Sequence, residues 1–129
     1  VLSLLLSGAL VKYPNISWIF SHAGGPVPAL AGRIVNMTRN RKDLAQIAPQ
    51  GVMHELTRLY YDTANAAFVP TMAALLKFVP VSQVLFGSDY PYYSLEENVA
   101  NLAEIPPTHA ERRAIDRGNA ARLMPRFAG

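Results

Sequence analysis

The sequence predicts an α/β fold with parallel strands. Three short apolar runs carry the prediction, each ending in polar or glycine residues. They are Ile16-Ser17-Trp18-Ile19-Phe20 before Ser21-His22, Leu59-Tyr60-Tyr61 before Asp62-Thr63, and Val84-Leu85-Phe86 before Gly87-Ser88-Asp89. Runs this short and rich in branched and aromatic residues have the character of strands covered on both faces. Stretches of helical character lie between them, and alternation of strand and helix is the pattern of a parallel sheet.

Element by element, Val1 to Val11 reads as a buried apolar helix that ends before Tyr13-Pro14-Asn15. It is too short to span a bilayer and lacks the positive flank of a secretory signal. The first strand follows, with Trp18 expected in the core. The connection from Pro26 to Pro49 should hold a helix over about Pro28 to Met37 and then a basic loop, Arg39-Asn40-Arg41-Lys42. A helix over about Val52 to Arg58 leads into the strand at Leu59. Pro70 suits the first turn of a helix through Phe78, because the N–H that proline lacks has no helical partner there. Leu75, Leu76 and Val79 give that helix its apolar side. Ser94 with Glu97, and Thr108 with Glu111, each have the capping-box spacing and would start helices over about Leu95–Ala103 and Ala110–Arg117. No internal boundary is visible, so residues 1–129 read as one domain.

Composition narrows the chemistry. The 129 residues are 50% hydrophobic and 16% charged, with no cysteine. That excludes a disulfide framework, thiolate zinc sites and a cysteine nucleophile within this sequence, and it is compatible with a cytoplasmic enzyme. The formal net charge is +3. Its basic residues gather at 39–42 and along the C-terminal helix without aromatic interleaving, which reads as a solvated face and not a nucleic-acid site. Neither a nucleic-acid nor a membrane partner is expected.

Asp89 places a carboxylate where a buried strand breaks into a proline-containing turn. In parallel α/β folds, ligands bind at the C-terminal ends of the strands, so a polar side chain emerging there is a candidate for chemistry. The competing reading, of equal weight, is that Asp89 braces its own turn. His22 ends the first strand in the same way, before Gly24-Gly25, and its imidazole can serve as metal ligand, general base or hydrogen-bond donor. Asp62, at the end of the middle strand, is the weaker candidate. His54 and His109 fall in predicted helices and read as exposed or structural.

Six segments taken in order carry a resemblance. They are Leu6-Ser7-Gly8 with Tyr13-Pro14-Asn15, Ser21-His22-Ala23-Gly24-Gly25, Gly32-Arg33-Ile34, Tyr61-Asp62-Thr63-Ala64, Phe86-Gly87-Ser88-Asp89-Tyr90-Pro91, and Gly118-Asn119-Ala120-Ala121-Arg122-Leu123. Over nearly its whole length the chain resembles the amidohydrolase-related enzymes of the aminocarboxymuconate-semialdehyde decarboxylase type, which are metal-dependent (β/α)8 barrels. The resemblance implies that the strands are the sixth, seventh and eighth. The chain is then the C-terminal half of a TIM barrel with parallel strands and C-terminal helices, a single partial domain. Length agrees, since a complete barrel takes about 250 residues. The start at Val1 without an initiator Met leads to the expectation of a fragment from a longer reading frame.

The same resemblance implies a divalent metal, zinc in the first place and manganese in the second. Its ligands include a His-x-His pair after the first strand, a His after the fifth and an Asp after the eighth. Only the last maps here, onto Asp89, and no His-x-His pair occurs in the chain. His22 matches the histidine after the sixth strand, beside the metal, where it hydrogen-bonds the metal's water or moves a proton. Arg33 matches an arginine that binds a substrate carboxylate in some relatives, in certain cases across a subunit interface, a task suited to a bidentate guanidinium. Its other reading is a helix-surface arginine with a local acidic partner. Tyr90, Tyr92 and Tyr93 would either wall an aromatic pocket or, the slightly favoured reading, pack against neighbouring loops. Asn119 would tie the last helix to the barrel.

The function implied is decarboxylation of a small carboxylated unsaturated or aromatic acid, with His22 and Asp89 managing the proton. The alternative is hydrolysis of an amide, lactone or ring carbonyl, with Asp89 as general base and then acid. A third reading, of another class, is an inactive half-barrel or interaction subunit. Completion by a missing N-terminal half, or by homo-oligomerisation, is expected.

Overall fold

Three strands, β1 (Ile19–Phe20), β2 (Tyr60–Asp62) and β3 (Val84–Leu85), form a parallel sheet in the order β1-β2-β3. They belong to a computed structural model that describes residues 1–103, 105 and 108–127. Ile19 pairs with Tyr60 and Phe20 with Tyr61; Tyr61 pairs in turn with Val84, and Asp62 with Leu85. The ladder runs one residue further at each end, because Tyr60 N–H donates to the Trp18 carbonyl (2.9 Å) and Thr63 N–H to the Leu85 carbonyl (3.0 Å). β2 and β3 are covered as predicted: Tyr61 and Val84 are fully buried and Leu85 nearly so. β1 departs from expectation. It is shorter than its apolar run, Ile16 and Ile19 are exposed, and Trp18 is only partly buried against the core.

Helices α3 (Val27–Thr38), α5 (Val52–Thr57), α6 (Val69–Phe78) and α7 (Leu95–Ala103) lie where the sequence places them, with Pro70 in the first turn of α6. The predicted first helix is two, α1 (Leu2–Leu6) and α2 (Ala9–Lys12). The break is at Gly8, whose φ of +72° lies in the left-handed region that L side chains rarely adopt. The basic loop at 39–42 forms, and a further short helix, α4 (Leu44–Ile47), follows it, with Ile47 and Ala48 buried.

The C-terminal helix also differs. α8 (His109–Arg113) widens into a π turn, Ala114–Gly118, before α9 (Asn119–Leu123). Within the π turn the Ile115 carbonyl accepts the Phe86 N–H at 3.0 Å. Asn119 Nδ2 donates to the carbonyls of Val81 and Val84, both at 2.7 Å. The C-terminal segment is therefore stitched to β3, and the widened turn is fixed by a partner on another element. Both predicted caps form: Ser94 Oγ accepts Glu97 N–H and Thr108 Oγ1 accepts Glu111 N–H, each at 3.2 Å. The Ser94 hydroxyl donates to Glu96 and not to Glu97. A backbone hydrogen bond, and then this hydroxyl, hold the Glu96 carboxyl below the usual carboxylate range.

Tyr61 is the centre of the core. Its ring lies 6.2 Å from that of Phe20 and, edge-on, 6.0 Å from that of Phe78, and its hydroxyl donates to the Leu56 carbonyl at 2.9 Å. Burial pushes the phenol above its ordinary pKa. A Cβ on Gly24 would come within 2.6 Å of the ring, so the loop after His22 rests directly on Tyr61. Tyr61→Phe keeps this packing but leaves the Leu56 carbonyl without its donor. Urea unfolding should show a loss of about 1–2 kcal/mol. Among the described residues no helix is long and apolar enough to cross a membrane.

Candidate active site

Because the three strands are parallel, His22, Asp62 and Asp89 come to the same edge of the sheet, the C-terminal one. β2 separates β1 from β3, so the ends that bear His22 and Asp89 are two strand spacings, roughly 10 Å, apart.

Both residues sit on left-handed backbone. φ is +57° at His22, +55° at Ala23 and +63° at Asp89. Such conformations cost about 1–3 kcal/mol each in residues other than glycine and persist only where surrounding structure enforces them. At Asp89 the turn is braced by backbone and by Ser88: the Asp89 carbonyl accepts the N–H groups of Tyr92 and Tyr93, and Ser88 Oγ accepts that of Tyr90. The Asp89 carboxylate receives no hydrogen bond from the described residues and is half-buried. The Asp89 backbone thus braces the turn, as one of the two readings has it, and its carboxylate takes no part in the bracing.

His22 is exposed, and its ring is anchored at one nitrogen. Nδ1 lies 2.8 Å from the Ala64 carbonyl. A carbonyl can only accept, so Nδ1 carries the hydrogen and, in the neutral ring, Nε2 holds the lone pair. The main-chain N–H of His22 donates to Asp62 Oδ1 at 3.0 Å. Asp62 is thus more heavily bonded than the sequence suggested, also accepting Ser21 Oγ–H and Ala64 N–H at 3.0 Å. The Asp62–Ala64 bond is an Asx turn, a local signal that an aspartate at a strand end can give. The bonds to Ser21 and His22 bridge distant parts of the chain and leave no such trace.

β3 enters the same cluster through Gly87. Thr63 Oγ1 accepts the Gly87 N–H and donates to the Gly87 carbonyl, which also accepts from the buried Asn98. A Cβ on Gly87 would lie 2.9 Å from Asp62 Cγ.

Arg33 lies on α3, about 9 Å along the helix axis from Val27. There it lines a cavity of about 170 Å³ with Leu2, Leu30, Ile34 and Met37. No carboxylate among the described residues pairs with it, so the local acidic partner is not found. The tyrosines divide. Tyr93 is half-buried and its hydroxyl accepts from Asn101. Tyr90 and Tyr92 are 75% and 90% exposed, which corrects the expectation that they pack against neighbouring loops. The turn that carries them, Ser88 to Tyr93, is closed by bonds among its own residues and leaves their rings outside.

Comparison with known proteins resolves the family. The family model described as amidohydrolase matches residues 1–126. The chain belongs to the amidohydrolase family. It is 32% identical to the 6-methylsalicylic acid decarboxylase of Penicillium expansum over 99% of its own length and 40% of that protein's. Among solved structures, a 5-carboxyvanillate decarboxylase from Sphingomonas paucimobilis superimposes with a TM-score of 0.82 at 19% identity, over 96% of this chain and 38% of that one. A dihydroxybenzoic acid decarboxylase from Polaromonas sp. JS666, solved with bound manganese and 2-nitroresorcinol, gives 0.79 at 23% identity over 95% and 37%. The chain spans about two-fifths of the length of such relatives.

The donor set of this amidohydrolase chain does not make a metal centre unaided. Among the described residues no three His, Cys, Asp or Glu side chains are placed to share a cation. Asp89 offers one ligand, whereas a catalytic site takes about three from protein and leaves a position open. His54 and His109 are exposed on α5 and α8 and add nothing at the strand ends.

Proposed function

We propose that the chain is the C-terminal part of a metal-dependent decarboxylase acting on a small aromatic carboxylic acid. β1, β2 and β3 are the last three strands of a (β/α)8 barrel, and residues 1–129 form one partial domain of it. The observation that carries the proposal is the Asp89 carboxylate, half-buried, unengaged and held on strained backbone across the sheet edge from His22. The decarboxylase relative supplies the reaction class.

Decarboxylation of an aromatic acid needs a proton at the ring carbon that bears the carboxylate. The carbon–carbon bond then breaks, its electron pair restores the aromatic ring, and CO2 leaves. In this reading Asp89 holds that proton beside the substrate, and His22 exchanges it through Nε2. The exposed rings of Tyr90 and Tyr92 give an aromatic substrate a face to lie against. Arg33, on α3, would bind a substrate carboxylate, in one arrangement across an interface with a second copy. Asp89 is also the metal ligand contributed by the described residues; the others would come from a missing barrel half or a partner. Manganese, as in the Polaromonas enzyme, is the first cation to supply, with zinc in parallel.

The test is a chimaera in which this chain replaces the matched segment of the Penicillium expansum decarboxylase. Loaded with manganese, it should release CO2 from 6-methylsalicylate or a dihydroxybenzoate. A folded, metal-loaded chimaera that releases none from any acid of the panel overturns the proposal and favours an inactive remnant.

A further inference from the structure

Every polar link between the end of β1 and the loop after β2 involves either the Asp62 carboxylate or the Ala64 carbonyl that this carboxylate holds in place. Oδ1 accepts the main-chain N–H of His22 and that of Ala64, both at 3.0 Å. The carbonyl of that same Ala64 accepts the ring Nδ1–H of His22 at 2.8 Å. One carboxylate oxygen therefore fixes both the residue that bears the imidazole and the residue whose carbonyl selects its tautomer. Oδ2 is held by Ser21 Oγ–H at 3.0 Å, which stops the carboxylate from rotating. From the opposite side the backbone of Gly87 closes on the same group: a Cβ there would lie 2.9 Å from Asp62 Cγ and 3.1 Å from Oδ2. Gly87 is also where β3 passes into the turn that bears Asp89.

We propose that Asp62 is the positioning residue of this site: it holds His22 in the Nδ1–H tautomer and, through its contact with Gly87, sets His22 relative to Asp89. Its part in the reaction rests on His22 moving the proton as proposed above. Bonds to an ionised carboxylate are about twice as strong as neutral ones. They offset the cost of the left-handed backbone at His22 and Ala23. Without them the loop relaxes, the ring leaves the Ala64 carbonyl, and Nε2 is no longer reserved as the basic nitrogen. An aspartate that merely closed its own Asx turn would need only the Ala64 bond.

Long-range proton–nitrogen NMR of the imidazole rings tests this, with the His22 signal assigned through a His22→Asn control. The wild-type chain should show His22 as the Nδ1–H tautomer. Asp62→Ala should convert it to the Nε2–H form that free imidazole side chains favour, whereas Asp62→Asn, which keeps an Oδ1 acceptor, should restore the Nδ1–H form. In the chimaera, Asp62→Ala should lower kcat about 10²-fold with KM unchanged, the loss expected of a misplaced group that still allows binding. A folded Asp62→Ala protein with the wild-type tautomer overturns the proposal. Should Asp62→Ala not fold, Gly87→Ala decides, because it presses on the carboxylate while removing no donor or acceptor. His22 signals that move with it support the positioning role, and a disturbance confined to β3 and its turn overturns it. Tautomers that behave as expected in a chimaera releasing no CO2 leave Asp62 as the positioning group and overturn the decarboxylase function instead.

Discussion

Asp89→Asn is expected to lower kcat about 10³-fold in the manganese-loaded chimaera and to leave the thermal stability of the metal-free chain where it was. The kinetic loss follows from removing a group that holds a proton at the reacting carbon, a role that contributes about 10²–10⁴-fold. The stability half follows from geometry. The Asp89 carboxylate has no hydrogen-bond partner among the described residues, so an amide in its place breaks nothing. Asparagine also tolerates left-handed backbone about as well as aspartate, so φ of +63° is retained. Asp89→Ala lacks that tolerance and should lose stability by about 1–2 kcal/mol besides. Steady-state CO2 release by the loaded chimaera and a melting curve of the metal-free chain, on the two variants, separate the effects. An Asn variant within a few-fold of wild type would mean that the strained carboxylate is not part of the chemistry.

The parts of this molecule that could be read from the sequence are those whose causes lie within a few residues. α7 has the predicted bounds because Ser94 and the acidic first turn, Glu96 and Glu97, mark its start locally. Strand ends at His22, Asp62 and Asp89 were legible because apolar runs stop there. What could not be read was set by partners far away in sequence. The break at Gly8 packs against Ile47, and the π turn is held by a donor on β3. Asp62 looked like the least of the three strand-end candidates because its bonds to Ser21 and His22 span 41 and 40 residues. For Arg33 a motif match gives the place in the chain, while what its guanidinium meets depends on residues that the motif does not name. The metal expectation likewise rests on residues that the chain does not contain, and no reading of these residues could supply them.

The largest effect on stability is expected at Asn119, which is 1% exposed and joins the C-terminal segment to β3. Nδ2 serves two carbonyls, those of Val81 and Val84, and Oδ1 accepts from Arg122 at 3.1 Å. The Val84 carbonyl is buried, and without Asn119 it has no donor from the sheet, because the neighbouring strand pairs with β3 on its other side. Asn119→Leu keeps most of the volume and still strands both carbonyls, at a cost of about 1–3 kcal/mol for a buried group left unpaired. Asn119→Asp is nearly the same shape and should be the worse of the two. It replaces the donor with an acceptor and aims a buried negative charge at two carbonyl oxygens, which adds repulsion and the cost of burying the charge. Urea unfolding at neutral pH should therefore rank wild type, Asn119→Leu and Asn119→Asp in falling order. The Asp variant should recover part of its loss as the pH falls. Burial beside carbonyls raises its carboxyl pKa in the folded state above the unfolded value, so the folded protein binds the extra proton and the neutral acid can donate again. If Asp instead matched or exceeded Leu at neutral pH, Asn119 would be held by packing and not by its two donated hydrogen bonds.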